Sequence, residues 1–316
     1  QIIQASTIHI FFEVPSGDPC EGMRIEFEAH LARIVYNQYH ELTNSKGGLM
    51  FLDIDGFKMT YESQGQGTPL LFIHGFPLNR RMWEPQMQSL SHHARVLAPD
   101  LRGHGDSEPI EGPYSMDMLA DDCVALLDAL DIQQPAVVCG HSMGGYITLA
   151  MYRRYPERIC GLILAATRAG ADSPEGKANR DKAIAQAEND GTAAIASAML
   201  PKLMSPKTYE TKPDLVNQVD NLMASTSVHG IVGALEGMKS RPDSTPLLSK
   251  IDVPTLIIHG EEDQLIPPQE AQSMHTAISD STIYLTPSAG HLPNVEQPER
   301  FNQAVREFME KLQRSP

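Results

Sequence analysis

A series of short apolar runs, separated by longer segments of helical period, constrains this chain more than any other feature of it. In order the runs read MFLDI, FKMTYES, LLFIHG, RVLAPD, AVVCGH, CGLILAAT, PTLIIHG and TIYLTP. All are of strand length, and the later ones are nearly all-apolar, as strands covered on both faces are. Between them MDMLADDCVALLDAL, GYITLAMYRRYPERI, PQEAQSMHTAI and PERFNQAVREFMEKL carry apolar residues at helical spacing. A βαβ series of this kind needs right-handed crossovers and gives an α/β fold: a mostly parallel, twisted sheet flanked by helices. Its crevice lies at the carboxyl ends of the strands. Asp55-Gly56, between the first two runs, is a hairpin signal, so the sheet is expected to open with an antiparallel pair.

Two segments break the alternation. Residues 168–246 hold helix-forming stretches (GKANRDKAIAQAE, TAAIASAMLPKLM, HGIVGALEGMK) and no strand pattern. That is too long for a plain loop, so the segment is expected to form a helical cap inserted between two parts of a core, residues 50–167 and 247–316. Residues 1–49 show no clear period and no charged segment leading into an apolar one as a signal peptide has. They are expected to be an extension that the core can do without.

Composition narrows the partners. At 316 residues, 41% hydrophobic and 21% charged, the chain suits one large globular domain or two smaller ones, and no stretch has the length of a membrane span. A net charge of −15 argues against nucleic acid and anionic membrane surfaces. Cys20, Cys123, Cys139 and Cys160 form no C-x-x-C pair. They read as free thiols of a reducing, cytoplasmic compartment. No metal-ligand spacing, P-loop or dinucleotide-binding glycine pattern stands out, so neither metal nor cofactor is expected.

The chemistry gathers at strand ends. Gly140-His141-Ser142-Met143-Gly144 has the G-x-S-x-G form of a nucleophile elbow between a strand and a helix. A cap or turn would be served equally by Asp or Asn. His74-Gly75, Asp100, Asp263 and His291 also follow strand patterns, and the order Ser, Asp, His is that of α/β-hydrolases. Glu261 and Glu262 compete with Asp263, but the spacing after Gly260 favours the aspartate.

The motifs HGFP, DLRGHGDS, GHSMGG, GEEDQLIP and AGH together resemble the α/β-hydrolase superfamily from about Met50 to the C-terminus. HGFPLNRRMWEP and DLRGHGDS are most similar to the branch of small carboxylesterases, enol-lactone hydrolases and cofactor-free haloperoxidases. The resemblance implies a serine hydrolase in which Ser142 attacks, His291 is the base and Asp263 orients it, through an acyl-enzyme. Backbone N–H groups of Phe76 and Met143 would stabilise the oxyanion, since Pro77 has no N–H. The expected partner is a small-molecule ester, lactones included. Peroxide as acyl acceptor, carbon–carbon cleavage on the same triad, and a catalytically silent binding protein are the rival readings.

His74, His141, Leu203, Met204 and Leu292 are the expected substrate pocket. Truncating Leu203 or Met204 is then expected to change acyl preference more than stability. Asp100 and Arg102 are expected to organise the loop after their strand.

Overall fold

The structure, a computed structural model, describes residues 50–314. The expectations for residues 1–49 fall outside the described residues. Strand β1 (Met50–Ile54) and strand β2 (Phe57–Gln64) form the expected hairpin. Asp55 and Gly56 both take positive φ, 47° and 86°, the backbone that a tight two-residue turn requires.

From there strand and helix alternate. β3 (Pro69–Ile73) leads through a 3₁₀ turn at Arg80–Trp83 into α1 (Glu84–Leu90) and β4 (Arg95–Pro99). Next come α2 (Met116–Ala129), β5 (Ala136–His141), α3 (Met143–Arg154) and β6 (Ile159–Ala165). An all-helical insert follows: α4 (Pro174–Asp190), α5 (Thr192–Met199), α6 (Pro206–Thr211), α7 (Pro213–Ala224), α8 (Val228–Ser240) and α9 (Thr245–Leu248). The chain then returns to the sheet as β7 (Thr255–Gly260), α10 (Pro268–Ala277), β8 (Ser281–Thr286), α11 (Pro293–Glu296) and α12 (Pro298–Arg314).

The sheet has the order β1-β2-β4-β3-β5-β6-β7-β8. β2 pairs antiparallel with β1 and β4, and every later pairing is parallel. β3, β5 and β7 are buried at every residue, which is why their sequences do not alternate. One apolar layer lies on each face. On one of them α12 turns Phe301, Val305, Phe308 and Met309 inward at helical spacing. Burying each of these side chains contributes roughly 1.5–3 kcal/mol.

Five helices, α1, α6, α7, α9 and α11, have no counterpart in the sequence reading. All carry proline in the first turn, where its missing N–H costs nothing, so a residue that looks like a breaker marks a start. α3 begins at Met143, two residues earlier than the Gly145 start read from sequence, and stops before Pro156, whose ring disfavours helix in the preceding residue. Among the described residues no helix is long and apolar enough to cross a membrane.

Candidate active site

The passage from strand to helix turns sharply at Ser142. β5 ends at His141, α3 starts at Met143, and Ser142 between them has φ 52° and ψ −110°. An L-residue there is strained by about 1–3 kcal/mol. The surroundings hold it: its N–H donates to Ala165 O (2.9 Å), while its carbonyl accepts from Gly145 N–H (2.9 Å) and the Thr167 hydroxyl (2.7 Å). Its own side chain makes no capping bond to the helix. The flanking glycines follow from close crossing. A Cβ on Gly140 would stand 2.2 Å from Gly144 O, and one on Gly144 would stand 2.2 Å from Ile73 O.

Opposite the elbow, His291 Nε2 lies 2.9 Å from Ser142 Oγ and its Nδ1 lies 2.8 Å from Asp263 Oδ2. Asp263 is buried, and its Oδ1 accepts the N–H groups of Leu265 (2.9 Å) and Ile266 (3.0 Å). Burial pushes the carboxyl up, but the charge of His291 and hydrogen bonds from His259, His291 and Ile266 outweigh it, holding Asp263 below the usual carboxylate range. Whenever the His291 ring carries a single proton, an ionised Asp263 holds that proton on Nδ1. Nε2 is left free to accept from the serine.

A second imidazole shares that carboxylate. His259 Nε2 is 2.8 Å from Ile266 O and 3.1 Å from Asp263 Oδ2, so it carries a proton and donates to both. His259 was not singled out in the sequence. The readable signal is its place at the end of β7, four residues before Asp263.

The backbone of His291 is held at both ends. Its N–H donates to Leu203 O in the insert (2.8 Å), and its carbonyl accepts from His141 Nε2 (2.6 Å). His141 is thus a buried backbone clamp that presents no open surface in this arrangement, where the sequence led us to expect a pocket residue. It is buried, and burial, followed by the charge of His291, lowers its pKa to about 3.

His74 is corrected in the same way. Fully buried, it donates from Nδ1 to Gly75 O (3.0 Å) and accepts Leu101 N–H at Nε2 (3.0 Å), tying the turn after β3 to the turn after β4. Burial lowers its pKa to about 4. Leu203, Met204 and Leu292, expected in the pocket, are 1%, 0% and 0% exposed and pack in an apolar layer with Phe72, Trp83 and Phe301. They present no open surface in this arrangement.

Phe76 lies in the turn after β3, the strand next to β5. That turn is pressed on the elbow: a Cβ on Gly75 would come within 2.4 Å of His141 Nδ1. Met143 is the first residue of α3, where an N–H has no acceptor within its own helix. Asp100 organises its loop as expected, accepting the N–H groups of Arg80 (2.7 Å) and Asp106 (2.8 Å) and pairing with the Arg80 guanidinium. Arg102 instead pairs with Asp122 of α2 (2.5 Å).

A family model described as the alpha/beta hydrolase fold matches residues 68–298. The chain belongs to the α/β-hydrolase family. Within it, the chain is similar to 3-oxoadipate enol-lactonase 2 of Acinetobacter baylyi, 33% identical over 257 residues that cover 80% of this chain and 94% of that protein. It is similar also to a pimeloyl-(acyl-carrier protein) methyl ester esterase of Neisseria meningitidis, 30% identical over 247 residues, 75% of this chain and 92% of the other. Among solved structures, a thermophilic esterase from Thermogutta terrifontis, malate bound, superposes with a TM-score of 0.82 at 38% identity, covering 84% of this chain and 99% of that one. This α/β-hydrolase is therefore a hydrolase of the branch that holds esterases and enol-lactonases.

Proposed function

We propose that this α/β-hydrolase cleaves carboxylic esters, lactones among them, through an acyl-enzyme on Ser142. The observation that carries the reading is the unbroken line from Ser142 Oγ to His291 Nε2 and from His291 Nδ1 to Asp263. A serine hydroxyl is a weak nucleophile until a base takes its proton, and His291 is placed to do so as Oγ attacks the ester carbonyl. Asp263 keeps the imidazole in the required tautomer and stabilises the imidazolium that forms. The N–H groups of Met143 and Phe76 are assigned to the developing oxyanion. Met143 lies at the positive end of its helix, which adds to the field there. Collapse of the tetrahedral intermediate expels the alcohol, protonated by His291. Water activated by the same histidine then releases the acid and restores Ser142.

Similarity to an enol-lactonase and to a methyl ester esterase supports an ester or a lactone as substrate. The free thiols Cys123, Cys139 and Cys160 support a reducing, cytoplasmic setting. The test is turnover of p-nitrophenyl esters of increasing chain length beside lactones and aryl esters, with fluorophosphonate labelling of wild type and Ser142→Ala. Labelling confined to the wild type, with turnover lost in the variant, is the expected result. A variant that keeps even a tenth of wild-type turnover would sink the assignment.

A further inference from the structure

Glu296, at the end of α11, is fully buried and takes no direct part in the line from serine to aspartate. Its two oxygens face different parts of the molecule. Oε1 accepts the N–H of Gly290 (2.7 Å), the residue before His291. Oε2 accepts the N–H of Ser205 (2.8 Å) and the hydroxyl of Thr208 (2.7 Å), both in the insert.

The insert side of this arrangement has a recognisable logic. Ser205 is the N-cap of α6, and its hydroxyl accepts from Thr208 N–H. In a capping box, a glutamate three residues after the cap would reach back to the cap's own N–H. Here that position is Thr208, which is too short to reach back. Glu296 supplies the missing carboxylate from a remote segment, and the helix start is bound to the histidine loop. Lys212 Nζ, just past the end of α6, donates to the backbone oxygen of the same glutamate (2.8 Å).

The backbones meet at the same place. A Cβ on Gly290 would stand 2.7 Å from Met204 C and 2.8 Å from Ser205 N, so Leu203–Ser205 lies directly on Gly290. One step further along, Leu203 O takes the N–H of His291 (2.8 Å). The acceptor that holds the histidine backbone is therefore in the insert, and Glu296 holds that part of the insert in place.

We infer that Glu296 is a positioning residue for the general base: it fastens the Leu203–Thr208 segment of the insert to the Gly290–His291 loop, so that the insert completes the seat of the catalytic histidine. The inference rests on the Ser142–His291–Asp263 reading above. Glutamine cannot replace the glutamate here, because donors face both oxygens and an amide must turn its NH₂ toward one set of them.

The test measures kcat, KM, fluorophosphonate labelling rate and melting temperature for wild type, Ser142→Ala, Glu296→Gln and Thr208→Val, with kinetics taken well below the melting transitions. Glu296→Gln is expected to lower kcat at least about tenfold with KM nearly unchanged, since a small misplacement of a base is costly in rate. Labelling of Ser142 slows in step. Thr208→Val, which removes one donor and keeps the carboxylate, is expected to lower kcat about threefold, in line with one lost hydrogen bond. A Glu296→Gln enzyme that melts lower but turns over and labels at wild-type rates overturns the inference and leaves the serine reading standing, provided Ser142→Ala is unlabelled. A wild type that resists labelling overturns both. If Glu296→Gln does not fold, Thr208→Val decides: an unchanged kcat overturns the inference.

Discussion

The two sides of this site are built on different principles. Ser142 is placed by a few residues of continuous chain: a strand, a strained residue and a helix, with glycines where the backbones cross. His291 is placed by segments far apart in sequence: His259 at the end of β7 and Asp263 just beyond it, His141 beside the elbow, and Leu203 in the insert. The proposed nucleophile is a local product of the fold, whereas its proposed base depends on tertiary packing. Substitutions on the serine side are expected to act on chemistry alone, and those on the histidine side on chemistry and stability together.

The largest effect sharpens that contrast. Ser142→Ala is expected to lower ester turnover by about 10⁴-fold or more, and because alanine keeps the same Cβ and removes only a hydroxyl that does not cap the helix, the melting temperature should stay near its wild-type value. Loss of fold in this variant, seen by circular dichroism, would break the claim that the serine side serves chemistry alone. Asp263→Asn is next, with an expected loss of about 10³–10⁴-fold in kcat, because the amide stabilises the wrong imidazole tautomer. It should also lower stability, since a buried amide facing two backbone donors and His259 cannot match them all.

Acid is expected to act on stability through buried histidines at and beside the site. Burial lowers the pKa of His74 to about 4, and burial followed by a neighbouring histidine charge lowers those of His104 and His141 to about 3, from a reference of 6.5. As pH falls below 6.5 the unfolded chain takes up protons that the folded chain refuses, so stability drops until about pH 4 to 3. The slope approaches about 1.4 kcal/mol per pH unit for each histidine. Asp263, whose pKa is depressed, adds a loss of the same sign at lower pH, as its carboxylate is protonated. Melting curves collected across this window check the expectation, and a flat profile would refute it.

Leu203→Ala and Met204→Ala separate the two principles on the insert itself. The sequence placed these residues in a pocket, where truncation would shift acyl preference. Their burial predicts instead a loss of about 2–5 kcal/mol in denaturant titrations for each, with turnover falling because Leu203 O supports His291. A changed selectivity at unchanged stability would restore the pocket reading.

The limits of sequence reading follow the same division. The central strands β3, β5 and β7 were legible because burial on both faces forces apolar runs, and the elbow because a strained serine between crossing backbones demands glycine on either side. Ser142, Asp263 and His291 come together as their positions at strand ends suggested. The roles of His74 and His141 were misread because a histidine in a turn beside the site looks the same whether it faces substrate or backbone, and only burial separates the two. Glu296 and His259 gave little sign of what they do. Two of the glutamate's partners, Ser205 and Thr208, lie 91 and 88 residues away and follow no local period, whereas His259 lies four residues from Asp263 but within an apolar strand run that hides its role.

The contact of Gly290 with Met204 and Ser205 bears on how such enzymes can be altered or diversified. A helical insert between two strands invites wholesale exchange, as a module that changes substrate scope while the sheet keeps the chemistry. In this protein the seam of that module does not run along its sequence boundaries. Residues 203–208 are carried by the insert, yet they hold the His291 loop, and under the proposed mechanism a graft that replaces the insert must keep them, or supply their carbonyl and N–H groups, to leave the base in place.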